Sequence, residues 1–208
     1  MKDSVENQIL AQAFEMFTRF GLRSVTMDDL ATELGVSKKT LYNHISNKKE
    51  LVQRTVQFIF HQIEEHLDEA MGAGENAIEV AFRVDKMMCH HAEQHNHSMQ
   101  FQLQKYYPEI LQWLNEKRRA SIFERMRRNI KRGKAEGLYR PELDEEIIIT
   151  FYYVRMTHLA QHRDPIFEQY SFREITREIL IYHLRGMATP RGLAVMEAIL
   201  ENEKQTQA

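Results

Sequence analysis

Residues 26–50 read TMDDLATELGVSKKTLYNHISNKKE, and the punctuation inside this stretch decides the fold. Thr26 stands three residues before Asp29, a capping-box spacing in which hydroxyl and carboxylate satisfy each other's backbone amides. Met27, Leu30, Ala31 and Leu34 then fall on one face of a short helix, and Gly35 stops it by supplying a positive φ. Ser37 caps a second short helix, from Lys38 to about His44, and Asn47-Lys48-Lys49-Glu50 opens another. Two helices separated only by Gly35-Val36-Ser37 cannot lie antiparallel. They cross steeply, and a steep crossing needs a small residue at the contact, here Ala31, with Val36 and Leu41 expected to plug the wedge. This is the physical description of a helix-turn-helix, whose second helix lies in the major groove of DNA.

The charge pattern agrees with that geometry. Ser37–Lys49 carries four lysines (Lys38, Lys39, Lys48, Lys49) and no acid, whereas residues 1–50 as a whole hold seven basic and seven acidic side chains. The positive charge is therefore concentrated on the candidate recognition helix and the start of the next. Each phosphate it neutralises releases counterion, so binding should weaken with salt.

Outward from this stretch the chain reads as helix almost throughout. Before it, Val5, Ile9, Ala13 and Phe17 form an i, i+4 ladder that ends at Gly21. After it, the pattern predicts a long helix from Leu51 to Gly72, helices over 75–95 and Met99–Lys105, and a long one from Pro108 to about Glu136. A turn over 137–141, helices over Leu143–His162 and Phe172–Met187, and a last helix from Pro190 to about Asn202 complete the reading, with a frayed polar tail at 203–208. No repeat or strand signal rises above noise. The expected fold class is all-α: a three-helix DNA-binding domain over residues 1–50 and a helical bundle over 51–208.

Composition sets the outer limits. The 208 residues carry 28 Lys+Arg against 30 Asp+Glu, a net charge of −2, which excludes a nucleic-acid binder that works by bulk charge alone. With 43 % hydrophobic and 28 % charged residues the chain has the balance of a globular protein, and 8 Gly with 4 Pro are too few for a turn-dense β-sandwich. The single cysteine, Cys89, excludes an internal disulfide and fits a reducing, cytoplasmic setting. The polar start MKDSVENQIL does not read as a secretory signal, and no membrane span is expected.

The run Phe17…Gly21…Val25-Thr-Met-Asp-Asp-Leu-Ala31…Leu34-Gly-Val-Ser-Lys-Lys-Thr-Leu-Tyr-Asn-His44…Lys48-Lys-Glu-Leu51 resembles the DNA-binding head of the TetR/AcrR transcriptional regulators. The likeness covers about the first quarter of the chain, with turn, wedge and contact residues at the family's spacings. Two positions depart from the pattern: Lys39 stands where the family often has Gly, and Ile45 where it usually has Phe. The resemblance implies that Ser37, Lys38, Lys39 and Thr40 lie at the start of the recognition helix, where lysine can reach guanine O6 and N7. It places Tyr42, Asn43 and His44 against phosphates or flanking bases. Thr26, Met27 and Lys48 stand at helix N-termini aimed at phosphates.

The same resemblance implies that residues 51–208 bind an effector and form a homodimer through the last two long helices. On this chain the candidate dimer stripe is Ile147, Phe151, Val154, His158, Ile175, Ile179 and Tyr182. The large apolar residues near an effector pocket would be Phe60, Phe82, Met87, Met99, Phe101, Trp113, Phe151 and Tyr152, although a Met or aromatic at helical spacing equally marks plain core. The implied partners are double-stranded DNA with a near-palindromic operator, an unidentified small molecule and a second copy of the chain. The implied mechanism is a repressor whose ligand favours the conformation that does not fit the operator.

Two other readings stand beside it: an architectural helix-turn-helix protein without an effector, which would bind DNA tightly under every condition, and a helical metal-binding protein or enzyme. His90–His97 is rich in histidine, with His91 and His95 one turn apart, and could hold a metal in a helical metalloprotein or enzyme if further ligands came from elsewhere. No motif supplies those ligands, and no phosphate loop, nucleophile elbow or HExxH is present, so no metal, cofactor or catalytic residue is assigned. Lys117–Lys134 holds nine Lys/Arg against one acid, which fits a solvated helix face better than a second nucleic-acid contact.

Overall fold

The computed structural model describes the backbone of residues 2–72, 76–94, 97–159 and 165–207 and the side chains of 5–72, 76–89, 99–159 and 166–205. Within these residues the chain is helical, in the order α1 (Lys2–Phe20), α2 (Met27–Glu33), α3 (Lys38–Tyr42), α4 (Lys48–Gly72), α5 (Ala77–Gln94), α6 (His97–Tyr106), α7 (Pro108–Ala135), α8 (Glu145–Leu159), α9 (Phe172–Met187) and α10 (Pro190–Gln207), with a 3₁₀ turn at Pro165–Glu168. The chain folds as two compact units, one of Met1–His66 with Glu93–Arg118 and one of Leu67–Ala92 with Arg119–Ala208.

The first unit is built on the helix-turn-helix. Ala31, Leu30, Leu41 and Ile45 are all essentially solvent-free, and they join Ile9, Ala13 and Phe17 of α1, Leu51 and Val52 of α4, and Leu103, Ile110 and Leu114 of α6 and α7 in one core. Ile45 fills the wedge as an aliphatic residue can. Val36 does not: it is 36 % exposed. The reason lies in how α2 ends. Gly35 sits at φ +65°, its N–H reaches Thr32 O at 3.1 Å, and the Val36 N–H reaches Ala31 O at 3.0 Å. This Schellman ending satisfies the last carbonyls of α2. It leaves Val36 on the outside while Leu41, one turn into α3, occupies the wedge.

The second unit has its core in α5, α9, α10 and the turn after α7. Ile78, Phe82, Leu138, Tyr139, Leu180, Leu184 and Met196 pack together, beside a smaller cluster of Phe123, Ile130 and Ile149. The turn after α7 pairs with the junction of α9 and α10: the Thr189 N–H donates to Leu138 O at 2.9 Å and the Arg140 N–H to Met187 O at 2.9 Å. Tyr139 is buried with its hydroxyl 3.1 Å from Asn129 Oδ1. A Cβ on Gly133 would lie 2.1 Å from its ring, so that position of α7 must be bare. The last helix runs to Gln207 rather than fraying after Asn202. An ion pair from Arg177 to Glu203 anchors its final turns, and Glu, Lys and Gln are good helix formers.

Candidate nucleic-acid interface

Each end of the helix-turn-helix is fixed by side chains in the sequence itself. Thr26 and Asp29 form the reciprocal capping box: Asp29 N–H donates to Thr26 Oγ1 at 3.1 Å and Thr26 N–H to Asp29 Oδ2 at 2.8 Å. These bonds to its charged form hold the Asp29 carboxyl below the usual range. Ser37 accepts from Thr40 N–H at 3.1 Å, and the two hydroxyls lie 2.8 Å apart. The hydroxyls of Ser37 and Thr40 are thus occupied in capping α3.

The cations divide into three kinds. Lys38 reaches back across the turn to Asp28 at 2.6 Å, with both side chains more than half exposed. Such an exposed pair is weak and screened by salt, so a phosphate or base edge can displace it. Lys48 is half-buried and donates to the Arg23 carbonyl at 2.9 Å. Burial lowers its pKa, against the opposing pull of Asp29. It ties the loop before α2 to the start of α4 and offers little reach. Lys39 is exposed and, among the described residues, makes no ion pair.

Tyr42 is 47 % exposed, Asn43 is exposed and His44 is half-buried, all on the last turn of α3 or just beyond it. Met27 is buried at 7 % exposure. What it can present to a phosphate is its backbone N–H at the start of α2, not its side chain.

The reading of the sequence missed one anchor. Arg54 of α4 donates to the His44 carbonyl at 2.9 Å, contacts Glu50 at 3.4 Å and pairs with Glu6 of α1. One guanidinium thereby joins the C-terminal end of α3 to α1 and α4, where a cation also suits the helix dipole. The four-residue spacing of Glu50 and Arg54 was the available signal.

The remaining candidates fall in both units. In the first, Phe60 packs edge-on to Trp113 with ring centroids 5.7 Å apart, Met99 is half-buried beside the core, and Phe101 is 63 % exposed on α6. In the second, Phe82 is core with Arg177 over its ring at 4.1 Å, Met87 is half-buried, and Tyr152 lies against His183 at 4.9 Å.

Of the proposed dimer stripe, Ile147, Phe151, Val154 and Tyr182 stand 54–71 % exposed, and His158 is exposed too. Ile147, Thr150, Phe151 and Val154, with Glu146, line a shallow apolar hollow of about 480 Å³ on α8. Ile179 is half-buried. Ile175, at 8 % exposure, is buried beside the buried Thr176 instead of standing on the surface, so it falls outside the exposed stripe.

The basic run on α7 is largely answered within its unit. Arg125 pairs with Asp68, Arg127 with Glu124 and Glu146, Arg132 with Glu136 and Lys134 with Glu145. The side chains of His90–His97 and of His162 lie outside the described residues. Among the described residues no group of His, Cys, Asp or Glu is arranged to hold a metal, and no helix is long and apolar enough to cross a membrane.

Comparison with known proteins agrees with the head. Residues 9–55 match the family "Bacterial regulatory proteins, tetR family". The repressor KstR2 of Mycobacterium tuberculosis is 25 % identical over 156 residues, 72 % of this chain and 76 % of its own. Two solved structures share the fold. A transcriptional regulator from Saccharomonospora viridis, determined with choline, has a TM-score of 0.72 at 17 % identity and covers 90 % of this chain and 99 % of its own. The regulator FadR of Bacillus subtilis, determined with stearoyl-CoA, has a TM-score of 0.65 at 18 % identity over 86 % of this chain and 97 % of its own.

Proposed function

Because this chain belongs to the tetR family of bacterial regulatory proteins, whose profile its residues 9–55 match, we propose that it is a ligand-responsive transcriptional repressor, working in the cytoplasm as a homodimer. Residues 1–50 bind DNA and residues 51–208 bind the effector and the partner copy. The observation that carries the DNA-binding part is the exposed α3, capped by Ser37, wedged by Leu41 and anchored by Arg54, with Lys38 and Lys39 at its start. Lys38, Lys39 and Thr40 face base edges. Tyr42, Asn43, His44 and the amides at Thr26 and Met27 face phosphates, and Lys48 adds charge behind them.

The exposed Ile147, Phe151 and Val154, which line one apolar hollow on α8, support dimerisation, as does the exposed Tyr182 of α9, since exposed apolar surface of this kind marks an interaction site. Two recognition helices held by a dimer read two half-sites one helical turn or a multiple apart. Effector binding in the C-terminal region lowers DNA affinity only to the extent that the ligand prefers the other conformation.

The experiment is titration of a labelled duplex from the DNA flanking the protein's own coding region, at two salt concentrations, against scrambled competitor. Preference of about a thousandfold, with two protomers per site, is the expected result. Absence of any DNA binding at low salt would overturn the reading.

A further inference from the structure

The second unit contains a polar seam that the candidate DNA-binding residues do not use and that shares only Phe151 with the exposed face of α8. Arg155 of α8 and His183 of α9 meet there, Nη2 to Nδ1 at 3.4 Å. The Tyr152 ring lies 4.9 Å from the imidazole, and the Arg155 guanidinium sits 4.7 Å over the Phe151 ring. His183 is 7 % exposed.

A guanidinium has donors and no acceptor, so in this contact Nδ1 of His183 must accept. The ring proton is then on Nε2. That atom is buried and meets no partner among the described residues, and the same holds for Nε of Arg155. Burial, with Arg155 adding to it, lowers the His183 pKa to about 4, so the imidazole is neutral at pH 7. The seam therefore holds two buried N–H donors, Arg155 Nε and His183 Nε2, with nothing among the described residues to receive them, beside a half-buried guanidinium. Asp85 does not answer the charge: the cations acting on its carboxyl are Arg177 and Arg173.

We infer that Arg155 and His183 form the headgroup end of an effector site in the second unit, and that the effector carries a single carboxylate on an apolar body. A half-buried guanidinium that makes no ion pair among the described residues, beside two unpartnered N–H donors, suits one negative charge that brings acceptors. The planar fork of Arg and the adjacent imidazole N–H match the two oxygens of a carboxylate, and Phe151 and Tyr152 flank the pair with aromatic surface. A quaternary ammonium such as the choline bound by the Saccharomonospora viridis regulator has the wrong sign and no acceptor. This inference rests on the ligand-responsive reading above and narrows it to a ligand class.

The test is calorimetric titration of the full-length protein with octanoate, octanamide and octylamine. Octanoate should bind, octanamide more weakly, and octylamine not at all. Arg155→Gln and His183→Leu should each weaken octanoate by roughly tenfold or more, whereas His183→Gln, which keeps a donor, should stay within about threefold of wild type.

Failure of octanoate to bind, equal binding by Arg155→Gln and His183→Leu, or equal binding of octylamine each overturns the inference. So does an Arg155→Gln protein that turns monomeric with octanoate affinity unchanged, which would mean that a second copy supplies the acceptor. Should a variant fail to fold, Overhauser contacts between carboxyl-labelled octanoate and the Tyr152 and Phe151 ring protons of the wild type decide, and their absence overturns it. Specific DNA binding without octanoate binding sinks this inference and spares the regulator. Octanoate binding through these residues without specific DNA binding does the reverse.

Discussion

Gly35 holds φ +65° with open space where a Cβ would stand, so substituting it tests backbone strain with no clash to confuse the result. Gly35→Ala should destabilise the protein by about 1–2 kcal/mol in urea unfolding, and Gly35→Asn by less, since Asn tolerates the left-handed region. His183 gives a second prediction at this scale. Its pKa is about 4 when folded against 6.5 ordinarily. Between these values the unfolded chain binds a proton that the folded chain does not, so stability falls as pH drops from 6.5 to 4 and is insensitive to this group outside that window. The loss is roughly 3 kcal/mol. Denaturant titrations across the range should show this slope in wild type and its disappearance in His183→Gln. Lys39 was legible as a candidate base reader from its place in α3. That Lys38 is held by Asp28 was not, because the partner lies ten residues back and meets it only once the helices cross.

At the scale of the element, the proposed recognition helix α3 spans five residues, Lys38–Tyr42, too short to be stable alone. Its position depends on its cap, its buried Leu41 and Arg54. Arg54→Met should leave the helical content nearly unchanged and weaken specific DNA binding, read by circular dichroism beside duplex titration, because the end of α3 loses its tie to α1 and α4. Equal affinity for the duplex would show that Leu41 and Ile45 suffice. Caps and glycine stops were readable in Thr26, Asp29, Gly35 and Ser37 because their chemistry is local. Val36 was misplaced because the facing of a residue just beyond a Schellman turn depends on the chain's exit direction, which no periodicity encodes.

For the whole molecule, the exposed apolar residues of α8 are the feature with the largest consequence. Ile147→Asp with Val154→Asp should convert the proposed dimer to monomer in sedimentation velocity and abolish cooperative occupancy of a two-half-site duplex, with the monomer still folded because both side chains already face solvent. A dimer that persists would place the interface elsewhere. Residues 1–50 and 51–208 divide the chain by proposed role, whereas its compact units draw Glu93–Arg118 together with the head. Leu103, Ile110 and Leu114 share the core of the helix-turn-helix, a long-range association that no local spacing announces.

Local interactions made most of this protein readable residue by residue: the all-α class, the caps of α2 and α3, the glycine stops and the run of helices rest on contacts within about four residues. Contacts between distant segments set the rest. They placed Arg54 on the His44 carbonyl, turned Ile175 inward while leaving Ile147 outside, and brought Arg155 to His183, 28 residues apart in the chain. An amphipathic pattern says that a helix has a buried face. Which neighbour covers that face, and which polar group is left inside without a partner, follows from packing energies summed over the folded chain.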